Sequence, residues 1–345
     1  MKKALIIIAG LAFMVTAVWL IGSGISDFGR EAVEAEKTES GIKADESRMD
    51  KADSEAQSAD ENPAESSEPG YQYSGNMKTI TITESVLQEG NLLLVNPWKE
   101  IPDSYKDAGY NTIYKKGASY QIRSTDIKLQ DKALEALVEM MDKAKDEGLE
   151  HMMVWDGYRT QAKQQKLFDE TFAEMKLLMK EEDAKKETAK RVAVPGTSEH
   201  QLGLAIDIGL YENGEAVGTS ESFGDTEFGK WAKLNCWKFG WVLRYSSDKS
   251  DITGIIFEPW HFRYTGIAHA KYMHENDICM EEYFDELKEK QSIIVKDEDG
   301  VDRWAVYRFE LGSEKTVKVK IPDKGTYEVS GDNTGGFIVT VDLQG

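Results

Sequence analysis

The chain has 345 residues, enough for one large domain or two modest ones with a real hydrophobic core. Its 42 Lys+Arg against 62 Asp+Glu give a formal charge of −20. That argues against nucleic acid as a partner and against a polybasic grip on an anionic membrane, because no basic excess exists to neutralise phosphates. The two cysteines, Cys236 and Cys279, cannot form a disulfide framework and are too few for a thiolate zinc site.

Lys2 and Lys3 precede an uncharged, apolar run from Ala4 to Ile25. Roughly 20 apolar residues suffice to cross a bilayer, whereas the core of a signal peptide is usually about 7–15. No clear small-x-small cleavage site follows, so residues 1–25 are expected to be an uncleaved transmembrane signal anchor. The positive-inside bias keeps the lysines cytoplasmic and places the rest of the chain on the extracytoplasmic face of the cell membrane. Cleavage and secretion is the alternative. From Asp27 to Gly70 there are 14 acidic and 5 basic residues and almost no aliphatic ones. Such a segment cannot bury enough surface to fold, so residues 26–76 are expected to be a disordered acidic tether. Its flexible reach is on the order of 35–40 Å by random-coil scaling.

Folded sequence starts near Met77. Thr79 to Thr83 alternates like a strand, and Leu92 to Val95 is a short apolar run. Asp131 to Lys145 reads as an amphipathic helix with Leu134, Leu137, Val138, Met141 and Ala144 inward and Gly148 as its stop. Met152 to Trp155 is a strand, and one long charged helix is expected from Thr160 to about Lys190. Phe228 to Lys238 reads as a helix, Trp241 to Tyr245 and Ile255 to Phe257 as strands, and Ser246 to Asp251 as the loop between them. A last helix carries Met280 to Lys290. Beyond Ser292 the pattern is strand and turn only, with Asp299-Gly300 and Gly335-Gly336 as turns. The expected division is a catalytic domain over 77–290 and a small all-β appendage over 291–345.

Only five histidines occur, so their surroundings are informative. His200 lies in Ser198-Glu199-His200-Gln201-Leu202-Gly203-Leu204-Ala205-Ile206-Asp207, where a glycine lets the chain bend from loop into strand and His200 converge with Asp207. His261 lies in Glu258-Pro259-Trp260-His261-Phe262-Arg263-Tyr264. Two His and one Asp supply three protein ligands for Zn²⁺ and leave a fourth position open, the arrangement of a catalytic site. A base is then needed, and Glu258 is the natural one. In a regular strand an i, i+3 pair points to opposite faces, so Pro259 must break the geometry. Each residue alone has a plainer reading, a partly buried histidine or a turn-capping aspartate. Together they place four ionisable groups in apolar segments, a cost that a shared cation removes. His151 is expected to be structural, His269 and His274 to lie on the surface, and the cysteines to be small buried hydrophobes, with a disulfide possible outside the cytoplasm.

The segments from Ser198 to Asp207 and from Glu258 to Tyr264 resemble the two signature motifs of the VanY-type zinc D-alanyl-D-alanine carboxypeptidases. This is a vancomycin-resistance D,D-peptidase family with a lysostaphin-like metal core. Asp156-Gly157-Tyr158-Arg159-Thr160 with Gln164, Leu243-Arg244-Tyr245 and Ile252-Thr253-Gly254 extend the likeness, in order, over roughly 92–284. Thr160 stands where the family commonly has Ser. The resemblance implies His200, Asp207 and His261 as zinc ligands, Glu258 as general base and acid, and Arg159 on the scissile carbonyl or its oxyanion. It further implies Ser198 and Gln164 at the substrate's C-terminal end, with Tyr158 and Trp260 walling the pocket. The implied fold is α+β, a small antiparallel sheet carrying the zinc site with helices packed on it. The implied substrates are peptidoglycan stem peptides or precursors ending in D-Ala-D-Ala. An L,D-carboxypeptidase acting on tetrapeptide stems shares the same motifs. A non-catalytic wall-binding module would be expected to lack Glu258 or a ligand, and all four residues are present.

Overall fold

The computed structural model describes residues 70–115, 120–212, 215–313 and 315–345. The expected anchor, and the tether as far as residue 69, lie outside the described residues. Among those described, no helix is long and apolar enough to cross a membrane.

The alternating segment forms β1 (Met77–Thr83), and three two-residue strands follow, β2 (Asn111–Thr112), β3 (Gln121–Ile122) and β4 (Lys128–Leu129). Helix α1 (Asp131–Asp146) buries Ala133, Ala136, Leu137, Met140, Met141 and Ala144, a stripe at helical spacing. It stops where Gly148 takes φ +82°. Leu134 and Val138 sit on the flank of that stripe, half-buried against the same core. After β5 (Met152–Asp156) the long helix expected to Lys190 is two helices, α2 (Gln161–Met175) and α3 (Glu181–Arg191). No proline or glycine marks the break. The reversal leaves Leu177 and Leu178 exposed and puts Glu181, Glu182 and Asp183 in the first turn of α3, where the helix dipole favours acids.

Next come β6 (Ala205–Glu212), β7 (Glu215–Gly218), α4 (Glu227–Asn235), β8 (Trp241–Tyr245), the short α5 (Ser250–Thr253) and β9 (Glu258–Tyr264). The strand expected at Ile255 to Phe257 begins only at Glu258, so the second motif is itself the strand. Helices α6 (Ile267–Asn276) and α7 (Met280–Lys290) lead into β10 (Ser292–Lys296), β11 (Asp302–Glu310), β12 (Thr316–Pro322), β13 (Thr326–Gly331) and β14 (Gly336–Asp342).

The central sheet runs β3-β5-β6-β9-β8, with β7 on β6. Its β3–β5 pair is parallel, so the sheet is mixed where a wholly antiparallel one was expected. The last strands form an antiparallel sheet in the order β10-β11-β14-β13. β1, assigned from its position to the catalytic region, instead pairs along its whole length with β12, from Met77↔Pro322 to Thr83↔Thr316. Strand alternation reveals a strand but not its partner. Leu137 and Met141 of α1 share one core with Val154, Ile206, Ile208 and Phe262 on one face of the central sheet. Alternation then turns Asp207 and His261 to the opposite face.

His269, expected at the surface, is buried. Its Nδ1 is 2.6 Å from the Tyr283 hydroxyl and its Nε2 2.9 Å from Thr340 Oγ1, so one imidazole joins α6, α7 and β14. Burial pushes its pKa down to about 3. The unfolded chain takes up that proton near pH 6.5 and the folded chain does not, so this stabilisation is full above pH 6.5 and is lost as pH falls towards 3. The loss is about 1.4 kcal/mol per pH unit. Denaturant midpoints at pH 7 and 4.5 should therefore differ less in His269→Gln than in the wild type. Equal acid losses in both would refute the assignment.

Candidate active site

His200 stands on a 3-10 turn, Glu199–Leu202, that ends at Gly203 with φ +70°. A Cβ on Gly203 would lie 2.4 Å from the Tyr110 ring, so this turn into β6 requires glycine. Asp207 follows on β6 and pairs directly with His261 on β9. The irregularity demanded at Pro259 is present. Between Leu243↔Phe262 and Tyr245↔Glu258, β9 advances four residues while β8 advances two. That bulge turns Glu258 to the side of His261, and Glu258 Oε2 lies 3.7 Å from His261 Nδ1. A second register shift, between Val154 and Asp156 of β5, places Asp156 opposite Asp207.

His200, Asp207 and His261 are all buried, and one ligand atom from each lies within 4.8 Å of the others. His200 Nδ1 is 2.7 Å from the Gly157 carbonyl, so it donates there and leaves a lone pair on Nε2. That Nε2 and Asp207 Oδ1 are buried without a hydrogen-bond partner. His200 Nε2 is 3.3 Å from Asp207 Oδ2 and His261 Nδ1 is 3.2 Å from Asp207 Oδ1. Acceptor atoms crowded in this way, two of them without a hydrogen bond, fit a cation.

The electrostatics agree. Burial pushes the Glu258 carboxyl up to about 8, partly offset by His261. Burial opposes charge on His261, yet the Asp207 and Glu199 carboxylates raise it to about 9. Burial also disfavours the Asp207 anion, but His200, His261 and Arg159 hold its pKa well below the usual range. Without a cation the cluster holds a proton in its place.

Arg159 NH2 is 2.7 Å from Asp207 Oδ2, and its Nε donates to Asp156 Oδ2 at 2.8 Å. Lys163 Nζ reaches the other Asp156 oxygen at 2.8 Å. Gln164 is fully buried; its Oε1 is 3.4 Å from Arg159 NH1 and its Nε2 donates to the Ala193 carbonyl at 2.7 Å. It thus braces Arg159 and the segment after α3. Ser198 is buried beside His200. Tyr158 stacks on Tyr110 with ring centroids 4.0 Å apart. Trp260 is half-buried and packs against the main core. Sequence reasoning assigned nothing to Asp156, Glu199, Arg244 or Arg263, all buried here. They share one sequence signal with His200, Asp207 and His261, an ionisable residue within an apolar stretch.

The mixed sheet and the buried two-histidine, one-aspartate cluster beside a carboxyl fit the class of metal-dependent hydrolases. The family model described as VanY, D-alanyl-D-alanine carboxypeptidase, matches residues 126–267. A D-alanyl-D-alanine carboxypeptidase of Enterococcus faecium is 32% identical over 291 residues, 83% of this chain and 86% of that protein. The putative carboxypeptidase YodJ of Bacillus subtilis is 36% identical over 278 residues, 80% of this chain and 95% of that protein. Among solved structures, the vancomycin-resistance D,D-dipeptidase VanXYg, in complex with a D-Ala-D-Ala phosphinate analogue, superposes with a TM-score of 0.63 at 30% identity. That match covers 78% of this chain and 100% of the other. The chain belongs to the VanY family of carboxypeptidases.

Proposed function

We propose that the protein is a zinc-dependent D,D-carboxypeptidase that removes the terminal D-Ala from peptidoglycan stem peptides ending in D-Ala-D-Ala. One observation carries this reading: two buried, partnerless acceptor atoms, His200 Nε2 and Asp207 Oδ1, sit in one cluster with His261 Nδ1, beside Glu258. His200, Asp207 and His261 would hold the ion. Zinc held there supplies Lewis acidity, which acidifies water and polarises a carbonyl.

The chain's own groups account for the rest. Glu258 accepts the proton of the attacking water and returns it to the leaving amine of D-Ala, so no net proton is consumed within the site. Arg159, fixed by Asp156, offers a cation to the carbonyl oxygen as charge develops there. One such donor is typically worth about 3–4 kcal/mol. Ser198 would bind the C-terminal end and Tyr158 and Trp260 would wall the pocket, while Gln164, its amide spent on Arg159 and the Ala193 carbonyl, would act by bracing Arg159. Removing D-Ala depletes both the cross-linking donors and the target of glycopeptide antibiotics. The apolar segment over 1–25 supports a membrane-anchored enzyme working between membrane and wall.

D-alanine release from a synthetic pentapeptide stem, compared with a tetrapeptide stem, tests the proposal. Release from the pentapeptide supports it, and release from the tetrapeptide alone overturns it. Zinc loading should also displace protons, because His261 holds one below about pH 9 and a ligand must give it up. Affinity should therefore weaken by about tenfold per pH unit on acidification. Calorimetry at pH 7.5 in buffers of different ionisation enthalpy should count at least one released proton. A count of zero would contradict this account.

A further inference from the structure

Glu199 does no chemistry in the mechanism above, yet it is enclosed by charge. Its Oε1 accepts from Arg244 Nε at 2.8 Å and from Arg263 NH1 at 3.0 Å, and its Oε2 lies 3.3 Å from His261 Nε2. Arg244 continues to Glu281 on α7 through two bonds of 2.9 and 2.7 Å. Three further N–H groups of Arg263 go to the Asn91, Leu93 and Tyr264 carbonyls. The side chains of Glu199, Arg244 and Arg263 are at most 1% exposed. Burying several charges is a poor route to stability, since hydrophobic replacements often do as well. What this network holds is one edge of an imidazole.

A carboxylate gripped by two guanidinium groups has no proton to give. At its contact with His261 the imidazole must donate, so Nε2 carries a hydrogen in either charge state and Nδ1 is the nitrogen whose proton an entering cation would displace. Nδ1 is the atom beside Asp207 and Glu258. His200 is set the opposite way, with Nδ1 bound to the Gly157 carbonyl and Nε2 free.

We infer that Glu199, clamped by Arg244 and Arg263, is a positioning residue that fixes the tautomer and ring plane of His261 so that Nδ1 is its ligating atom. This rests on the metal reading proposed above. Such outer partners typically contribute about 10–100-fold in metal affinity. Glu199→Gln is the informative change because it keeps the size. The two arginines require the amide oxygen, so the amide NH2 turns to His261 and favours the wrong tautomer.

The test has two arms. In the zinc-loaded wild type, a long-range ¹H–¹⁵N spectrum of the histidine rings should place the His261 proton on Nε2; a proton on Nδ1 overturns the inference. Chelator competition with Zn²⁺ should show affinity about 10–100-fold weaker in Glu199→Gln than in the wild type. A variant with a lowered melting temperature but wild-type zinc affinity reduces Glu199 to a structural residue and also overturns it. If the variant does not fold, the wild-type spectrum decides. A wild type that binds no zinc at all defeats the underlying function instead, a distinct result.

Discussion

Glu258→Gln should lower kcat by about 10³–10⁴ while leaving zinc bound and KM little changed. General acid–base catalysis is commonly worth 10²–10⁴, and the proposed mechanism uses Glu258 in both proton transfers, so the upper part of that range applies. In free energy this is about 4–5.5 kcal/mol of transition-state stabilisation. The substitution isolates chemistry because glutamine fills the same space but cannot take a proton. Folding should not suffer. Burial already pushes the Glu258 carboxyl up to about 8, which marks a site that disfavours the anion when no cation is present. A neutral amide relieves that penalty, so the metal-free variant should melt no lower than the wild type. Rates of D-alanine release at saturating substrate, measured with zinc stoichiometry on the same samples, decide the matter. A variant within tenfold of the wild-type kcat removes Glu258 from the mechanism.

What was legible in the sequence follows from the range over which each signal acts. That His200, Asp207 and His261 converge was legible because each is an ionisable group set in an apolar stretch, although the two stretches lie some sixty residues apart. The helical stripe of α1 was readable from its periodicity, and β5 and β8 as short runs of strand-forming residues, both local signals. The partner of β1 was not, since alternation over Met77–Thr83 fits any sheet edge and β12 lies more than 200 residues away. Nor was the break between α2 and α3, where no glycine or proline interrupts the helix-forming residues and the turn is set by how the two helices pack. His269 misled because its spacing from His274 shows no shared face, while its burial depends on Tyr283 and Thr340 of distant elements. Glu199 was in plain sight beside His200. The role inferred for it rests on Arg244 and Arg263, from two separate strands, closing around it.

His200→Ala should do what Glu258→Gln does not, removing the metal along with the activity. The His200 Nε2 atom has no hydrogen-bond partner to lose, so its deletion costs nothing at that atom in the metal-free protein. Beyond the packing lost with a buried ring, the polar cost to folding lies at the other nitrogen. The buried Gly157 carbonyl loses the donor now 2.7 Å away, a penalty of about 1–3 kcal/mol. With zinc the balance differs, because the proposed site would keep two ligands where it had three. Losing a ligand should exceed the roughly 10–100-fold expected for an outer partner. Saturating zinc stabilises a folded protein by about 2.7 kcal/mol at a hundred times Kd, so the wild type and Glu258→Gln should both melt higher when zinc is added. His200→Ala should show no such rise at the same zinc concentration, and its D-alanine release should be at least 10³-fold slower, roughly the several kcal/mol that metal polarisation supplies. The pair of variants separates holding the ion from using it. If His200→Ala kept both full zinc stoichiometry and the thermal shift, the ligand set would have to be redrawn around Asp207, His261 and Glu258, the carboxylate 3.7 Å from His261 Nδ1.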